Sequence, residues 1–313
     1  MIPHYRPCSW HFLLLLTVGL STALNAQNSN ILWQRTIEDY PNTILTAMAP
    51  DGNVGVICTN LGFPWPPELT KLGANGSLLW RSPIRGSIPE PNGSYIVQLY
   101  LLTATRDGGF VVLCRETIGG SYRRFVLIKF NSAGEQIWLE PLADYHGDFD
   151  FGLGITRYQA LLEVSDGGIL LAGSRTNTRF YTPFVVKHTS LGKYDRSLQV
   201  GGSSGISSPV SEIRITDLVE TNNQYAVAGV FGPPSTGTIR YISRAGVLVN
   251  TVNFPNELSI TDIDFDPTDN SLVATSRNSQ GWCILKISNL AICSPCSDMN
   301  SLQSGQMEEF RAI

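Results

Sequence analysis

The stretch Lys71-Leu-Gly-Ala-Asn-Gly76-Ser-Leu-Leu-Trp80 recurs as Lys129-Phe-Asn-Ser-Ala-Gly134-Glu-Gln-Ile-Trp138, with Lys, Gly and Trp in one frame. The frame returns at Lys187 with Gly192 and at Tyr241 with Gly246, and in a decayed form at Lys286. These marks lie 58, 58, 54 and 45 residues apart, a period too long for most solenoids and right for a unit of four strands. Upstream of each lies a turn followed by an apolar run. Pro50-Asp51-Gly52 precedes 54–58, Asp107-Gly108-Gly109 precedes 110–114, and Asp166-Gly167-Gly168 precedes 169–172. Asn222-Asn223 before 225–229 and Asp269-Asn270 before 272–275 complete five copies.

Within one copy, residues alternate or run apolar over four to eight positions, with β-branched and aromatic residues enriched and Gly, Asn or Asp at the breaks. The second copy reads as strands near 95–106, 109–116, 125–131 and 135–141, and no segment offers an amphipathic helix. Repeated four-stranded sheets that pack face to face bury their apolar surfaces and leave only short edges. The expectation is therefore an all-β fold, a single β-propeller of five four-stranded blades over residues 27–288. Ile31-Leu-Trp33-Gln-Arg-Thr resembles the Trp80 and Trp138 strands without the strand that should precede it, and Trp282-Cys-Ile-Leu-Lys-Ile-Ser288 resembles that missing partner. The N-terminal strand is thus expected to close the last blade, with residues 289–313 left as a polar, loosely packed tail. The alternative is a strand from Ala291-Ile-Cys, with the ring open or continued in other material.

Composition agrees with this and removes several classes. Gly and Pro together occupy 47 of 313 positions, a surplus that suits many turns. With 42% hydrophobic and 15% charged residues, the chain is neither disordered nor coiled-coil, and its net charge of −4 excludes a basic nucleic-acid binder. Residues 1–26 read as a secretory signal peptide: Arg6, an apolar run 12–20, then Ser21-Thr-Ala-Leu-Asn-Ala26, with cleavage after Ala26 or after Ala23. Export to the periplasm, cell surface or medium is expected, with no membrane span after cleavage and a monomeric product. Loss of Arg6 leaves 21 basic and 26 acidic residues, a mild acidity that selects no partner.

The five remaining cysteines are odd in number and irregular in spacing, so they form no disulfide framework. Cys58 and Cys114 fall in apolar runs and read as core thiols on equivalent strands of neighbouring blades, too far apart to bond together. Cys293-Ser-Pro-Cys296 has the gap of a redox or zinc motif but no second pair, and reads as a local disulfide or as chance.

The repeat phrases Lys-x-Asn-x-x-Gly-x-x-x-Trp and Asp-Gly-Gly resemble those of secreted bacterial β-propeller proteins related to the quinoprotein-like and WD40-like superfamily, over nearly the whole mature chain. The resemblance implies blades, which host many functions. Quinone-dependent members generally use eight blades with adjacent cysteines and a calcium site. This chain has fewer repeats and no adjacent cysteine pair, so no cofactor is expected.

Chemistry-bearing clusters are few. Gly201-Gly-Ser203-Ser-Gly205 fits a nucleophile-elbow pattern but lacks the strand-turn-helix setting, and only His146 and His188 remain as partners after the leader. Asp144-Tyr145-His146-Gly-Asp148-Phe-Asp150 gathers oxygen ligands without EF-hand spacing and reads as a solvated acidic loop. In Asp262-Ile-Asp264-Phe-Asp266 the acids alternate along one strand face, and Ile215-Thr-Asp217 echoes Ile260-Thr-Asp262. Asp217 and Asp262 therefore read as innermost-strand residues of a central channel. Asn75-Gly-Ser77 and Asn92-Gly-Ser94 fit glycosylation sequons and turns alike.

Turns after the first and third strands are short, whereas connections after the second and fourth are long, and in an up-and-down blade the two classes emerge at opposite ends. The long-loop face would present Trp65, Tyr122, Arg123, Arg124, Asp144, Tyr145, His146, Asp148, Asp150, Arg179, Phe180 and Tyr181. The function this supports is a non-catalytic binding or scaffold module for a protein or carbohydrate. The alternative is a propeller glycoside hydrolase with paired carboxylates.

Overall fold

The computed structural model describes residues 43–59, 67–87, 94–118, 122–142, 155–176, 181–201, 214–231, 237–254, 259–278, 281–287 and 307–310. Among them it is a β-propeller of five four-stranded antiparallel sheets, with no helix long and apolar enough to cross a membrane. The first blade is β1 (Thr43–Met48), β2 (Val54–Thr59), β3 (Glu68–Leu72) and β4 (Leu78–Pro83). The second is β5 (Ser94–Ala104), β6 (Phe110–Ile118), β7 (Tyr122–Phe130) and β8 (Gln136–Pro141), within a few residues of the bounds read from sequence. The third is β9 (Ile155–Glu163), β10 (Ile169–Thr176), β11 (Tyr181–His188) and β12 (Tyr194–Leu198). The fourth is β13 (Arg214–Glu220), β14 (Gln224–Val230), β15 (Gly237–Ser243) and β16 (Leu248–Asn253). The fifth is β17 (Ser259–Asp266), β18 (Ser271–Asn278), β19 (Gly281–Ile287) and β20 (Met307–Phe310).

The strand beside β19 corrects the closure expected from sequence. Ile284 pairs with Phe310 and Ile287 with Met307, so the fourth strand of the last blade is C-terminal. The tail therefore supplies structure at 307–310 and is not loosely packed throughout. Recruiting a segment some twenty residues away closes a far smaller loop than recruiting one from the start of the chain, and the entropic cost is lower. Residues 31–37 and the alternative 291–293 lie outside the described residues.

The first strands of successive blades lie side by side, β1 against β5, β5 against β9, β9 against β13 and β13 against β17. The core sits between blades. Phe110, Val112 and Cys114 of β6 pack on Ile57 and Leu69 of the first blade, while Val111 and Leu113 point the other way, onto Ile169 and Leu171 of the third. A strand covered on both faces has no polar side to show, which explains the continuous apolar runs of the second strands. Equivalent clusters join the third blade to the fourth and the fourth to the fifth. The fit leaves no slack: a Cβ at Gly55 would lie 2.4 Å from the Phe110 ring.

Four innermost strands carry a β-bulge at the same level. The unpaired residues are Tyr100 in β5, Gln159 in β9, Thr216 in β13 and Thr261 in β17. A bulge bends its strand and re-aims the residue that follows. In the last two blades that residue is an acid, Asp217 or Asp262.

Candidate functional site

The two ends of the propeller are built for different work. At the short-turn end, the aspartate of each Asp-Gly turn folds back on the turn itself: Asp107 Oδ1 accepts from Gly109 N at 3.0 Å and Asp166 Oδ1 from Gly168 N at 2.9 Å. Gly108 and Gly167 both stand at φ +77°, a conformation that costs other residues a steric penalty. The lysine that marks the repeat, on the third strand, reaches this turn. Lys71 Nζ lies 3.0 Å from Asp51 and donates to Gly108 O of the next blade at 2.7 Å. Lys129 lies 3.2 Å from Asp107 and 3.2 Å from Glu163 of the next blade, Lys187 pairs with Asp166, and Lys286 lies 2.5 Å from Asp269. Burial alone would raise the Asp107 carboxyl, but bonds from Thr105, the Gly109 amide and Lys129 hold it below its ordinary value. Asp166 is held low in the same way by Lys187 and the Gly168 amide.

Two acids that sequence reasoning missed complete this belt. Glu163, ending β9, accepts from Arg106 N at 2.6 Å. Glu220, ending β13, accepts from Ser165 N at 2.6 Å and from Arg106 and Arg244 at 3.0 Å each. Each glutamate therefore ties its blade to the turn of the blade before. The available signal was the recurrence of Glu six residues before Ile169 and five before Tyr225, in otherwise apolar runs. In the fourth blade Tyr241 replaces the lysine and Asn222 stands in the turn. The Tyr241 phenol is buried, which pushes its pKa up.

The expectation of long connections at the opposite end holds after the fourth strands of the first three blades, at 84–93, 142–154 and 199–213, but not after β6, β10 and β18, where only 119–121, 177–180 and 279–280 join the strands; the described residues anchor two of the long ones. Buried Glu116 accepts from Arg124 Nε at 2.6 Å, from Ser87 N at 2.8 Å and from Ser87 Oγ at 2.8 Å. Arg124, read from sequence as a binding residue, thus grips the start of the connection that follows β4. Arg240 does the same for residues 200–201, donating to both carbonyls at 2.5 and 2.6 Å while stacking 4.0 Å from the Phe231 ring. Tyr122 and Arg123 begin β7 and Tyr181 begins β11, opposite Ile118, Thr117 and Thr176, so the backbone places all three at this end. Trp65, Asp144, Tyr145, His146, Asp148, Asp150, Arg179 and Phe180 lie outside the described residues, as do Ser203 and both Cys293 and Cys296.

Asp217 and Asp262 are brought together. They follow the bulges of neighbouring innermost strands, and Asp217 Oδ2 accepts from the amide of Ile263, the residue next to Asp262, at 3.0 Å. Asp262 and Asp264 are both exposed. His188 is buried at the short-turn end with Nδ1 2.8 Å from Gly192 O, and burial lowers its pKa. Cys114 is a buried free thiol, its pKa raised by burial and by Glu116. Among the described residues no group of three or more His, Cys, Asp or Glu is placed to hold a metal.

No known family model matches the chain, and no curated protein matches it in sequence. Among solved structures it is similar to puromycin hydrolase, at 13% identity and TM-score 0.49 over 83% of this chain and 40% of that one. It is also similar to the Dos1 propeller, at 14% identity and TM-score 0.45 over 79% and 56% of the two chains. A Hadza microbial sialidase matches at 10% identity and TM-score 0.44, over 77% and 55%. The chain therefore spans about half or less of these proteins' lengths, and at such values they bear on no activity.

Proposed function

We propose that this chain is an exported, non-catalytic binding module whose working face is the long-loop end of the propeller. The observation that carries the reading is the division between the two ends. Short turns and their carboxylates are consumed in ties within and between blades, whereas every connection after a second or fourth strand leaves from the other end. Variable connections on a rigid scaffold are the usual place for recognition. Trp65, Tyr122, Arg123, Tyr181 and the 144–150 segment belong to that face by their position in the repeat. Aromatic platforms edged with Asp and Arg suit a carbohydrate or a protein surface.

The hydrolase alternative is the weaker one for the carboxylates that the described residues bring together. Catalytic carboxyls of glycosidases stand about 5–9.5 Å apart, leaving room for the sugar carbon or a water. Asp217 is instead committed to the backbone amide of Ile263, beside Asp262, at 3.0 Å.

The test is a glycan-array and pull-down screen comparing wild type with a Trp65→Ala, Tyr122→Ala, Tyr181→Ala triple variant. A ligand retained by the wild type and lost by the folded variant supports the reading. Equal binding by both would place the working face elsewhere.

A further inference from the structure

We infer that the side of the fifth blade turned toward the first binds a neutral oligosaccharide, with the Trp282 indole as its stacking platform and Arg277 and Asp262 as its polar edges. This rests on the reading of the chain as a binding module, and it places a site on strand residues that the long-loop face does not include.

One row of three paired residues seals each of the first four junctions between blades. Residues opposite each other on antiparallel strands share a face. The rows are Leu45-Ile57-Leu69, Leu101-Leu113-Leu127, Ala160-Ala172-Val185 and Asp217-Ala228-Ile239. Each meets the blade that follows, Asp217 through the bond it accepts from the Ile263 amide. The fifth blade carries Asp262-Thr275-Ile284 in the same row. Asp262 is exposed, and Ile284 is 43% exposed where Leu69, Leu127 and Ile239 are wholly buried. The next pair toward the long-loop end repeats the contrast. Phe125 of the second blade, opposite Arg115, is buried between the rings of Tyr100 and Tyr158, whereas Trp282, opposite Arg277, is 63% exposed. The innermost strands meet at the four sealed junctions, and among the described residues β17 makes no comparable approach to β1.

The chemistry of this open face selects its ligand. The core of a protein interface is depleted of charge, whereas here an indole stands beside a cation, with a carboxylate farther in. The Arg277 guanidinium lies 5.6 Å from the Trp282 ring centroid, so its donors border a flat apolar surface. Thr275 is engaged with Thr261, the two hydroxyls 2.8 Å apart, and Lys286 is bound to Asp269. Arg277 then supplies donors and Asp262 acceptors. A pyranose offers C–H bonds on its face for the indole, and around its rim hydroxyls that both donate and accept. One charge of each sign favours neither an anionic nor a cationic sugar. β17 and β19 lie two strand spacings apart, about 10 Å, farther than one ring reaches from the indole, which makes the ligand a chain of sugars.

The test is an array of neutral oligosaccharides probed with the full chain. The tightest binder is then titrated against wild type, Trp282→Ala, Arg277→Gln and the Trp65, Tyr122, Tyr181 triple variant. Expected for Trp282→Ala is an affinity loss of about tenfold or more, as for an aromatic anchor. Arg277→Gln should lose less, and both should keep the wild-type thermal midpoint, because neither side chain seals a junction. Binding that survives Trp282→Ala overturns this site, and its loss in the triple variant would then still uphold the long-loop face. An array on which no neutral oligosaccharide binds overturns it as well. A fall in thermal midpoint or in solution mass on Trp282→Ala would do the same, since another part of the chain or a second copy would then cover the face.

Discussion

The indole of Trp80, on the outermost strand of the first blade, donates to Ser132 O in a turn of the second at 2.8 Å. Its ring also lies against Gly134, where a Cβ would come within 2.7 Å of Cδ2. Trp138 repeats both contacts one blade later, donating to Ser190 O at 3.1 Å and covering Gly192. The Gly and Trp of the sequence repeat are therefore partners across the gap between blades, although each copy carries them in one segment.

Breaking this pair from either side should destabilise the fold. Trp80→Phe keeps most of the ring and loses the hydrogen bond, at about 0.5–1.5 kcal/mol. Gly134→Ala, at φ +87° and against the indole, meets both backbone strain and a clash, at about 2 kcal/mol or more. Urea unfolding of both single variants and the double variant measures the coupling. Strictly additive effects would contradict a direct contact.

The Lys129–Glu163 tie is buried at both ends, with the two residues 7% and 8% exposed. Removing one partner of a buried ion pair costs about 3–5 kcal/mol, because the other is left without its partner. Lys129 keeps Asp107 when Glu163 is lost, so Glu163→Ala should fall at the low end, and Lys129→Met should cost more by leaving both Glu163 and Asp107 without their shared cation. Chemical denaturation at neutral pH separates the two.

Much of this fold was legible because it repeats. The Lys, Gly and Trp marks and the Asp-Gly turns are each fixed by a local requirement: a turn glycine at positive φ, a lysine reaching its own turn, a strand buried on both faces. What one copy does for the next was not legible. Glu163 and Glu220 look like ordinary strand ends until the preceding turn is placed beside them. Arg124 reads from its place in the repeat as a residue of the long-loop face, and nothing in the sequence shows that it pairs with Glu116, its register partner across the hairpin. The closing strand was misassigned because the tryptophan pattern of 31–37 outweighed Met-Glu-Glu-Phe, a segment too short and too polar to advertise a strand.

The pH response should have an acid limb set by the turn aspartates and by His188. Asp51, Asp107 and Asp166 are held below 3.8 in the folded state, so the stability they add is present above that value and lost as pH falls beneath it. His188 is held neutral below its ordinary 6.5, so folding loses stability as pH falls through and below 6.5. Asp107→Asn with Asp166→Asn should flatten the limb below pH 4, and His188→Gln the shallower part above it. Thermal midpoints between pH 3 and 7 provide the check, and a double asparagine variant that follows the wild-type acid limb would remove the turn carboxylates as its cause.

Truncation after residue 306 should expose the edge of the last blade. β20 satisfies the outer hydrogen-bonding groups of β19 from Ile284 to Ile287, and without it that strand presents an open ladder. The strand is poorly defended against pairing with another chain. Trp282 and Ile284 are 63% and 43% exposed, and Lys286 is the one charge on it. Exposed apolar edges recruit further strands. The truncated chain should therefore unfold at lower temperature and form dimers or larger species, and Ile284→Lys in the truncated background should restore a monomer without restoring the lost stability. Light scattering and thermal unfolding of the three proteins follow the two effects separately. A truncated chain that stays monomeric with an unchanged midpoint would show that β20 adds nothing to the blade it completes.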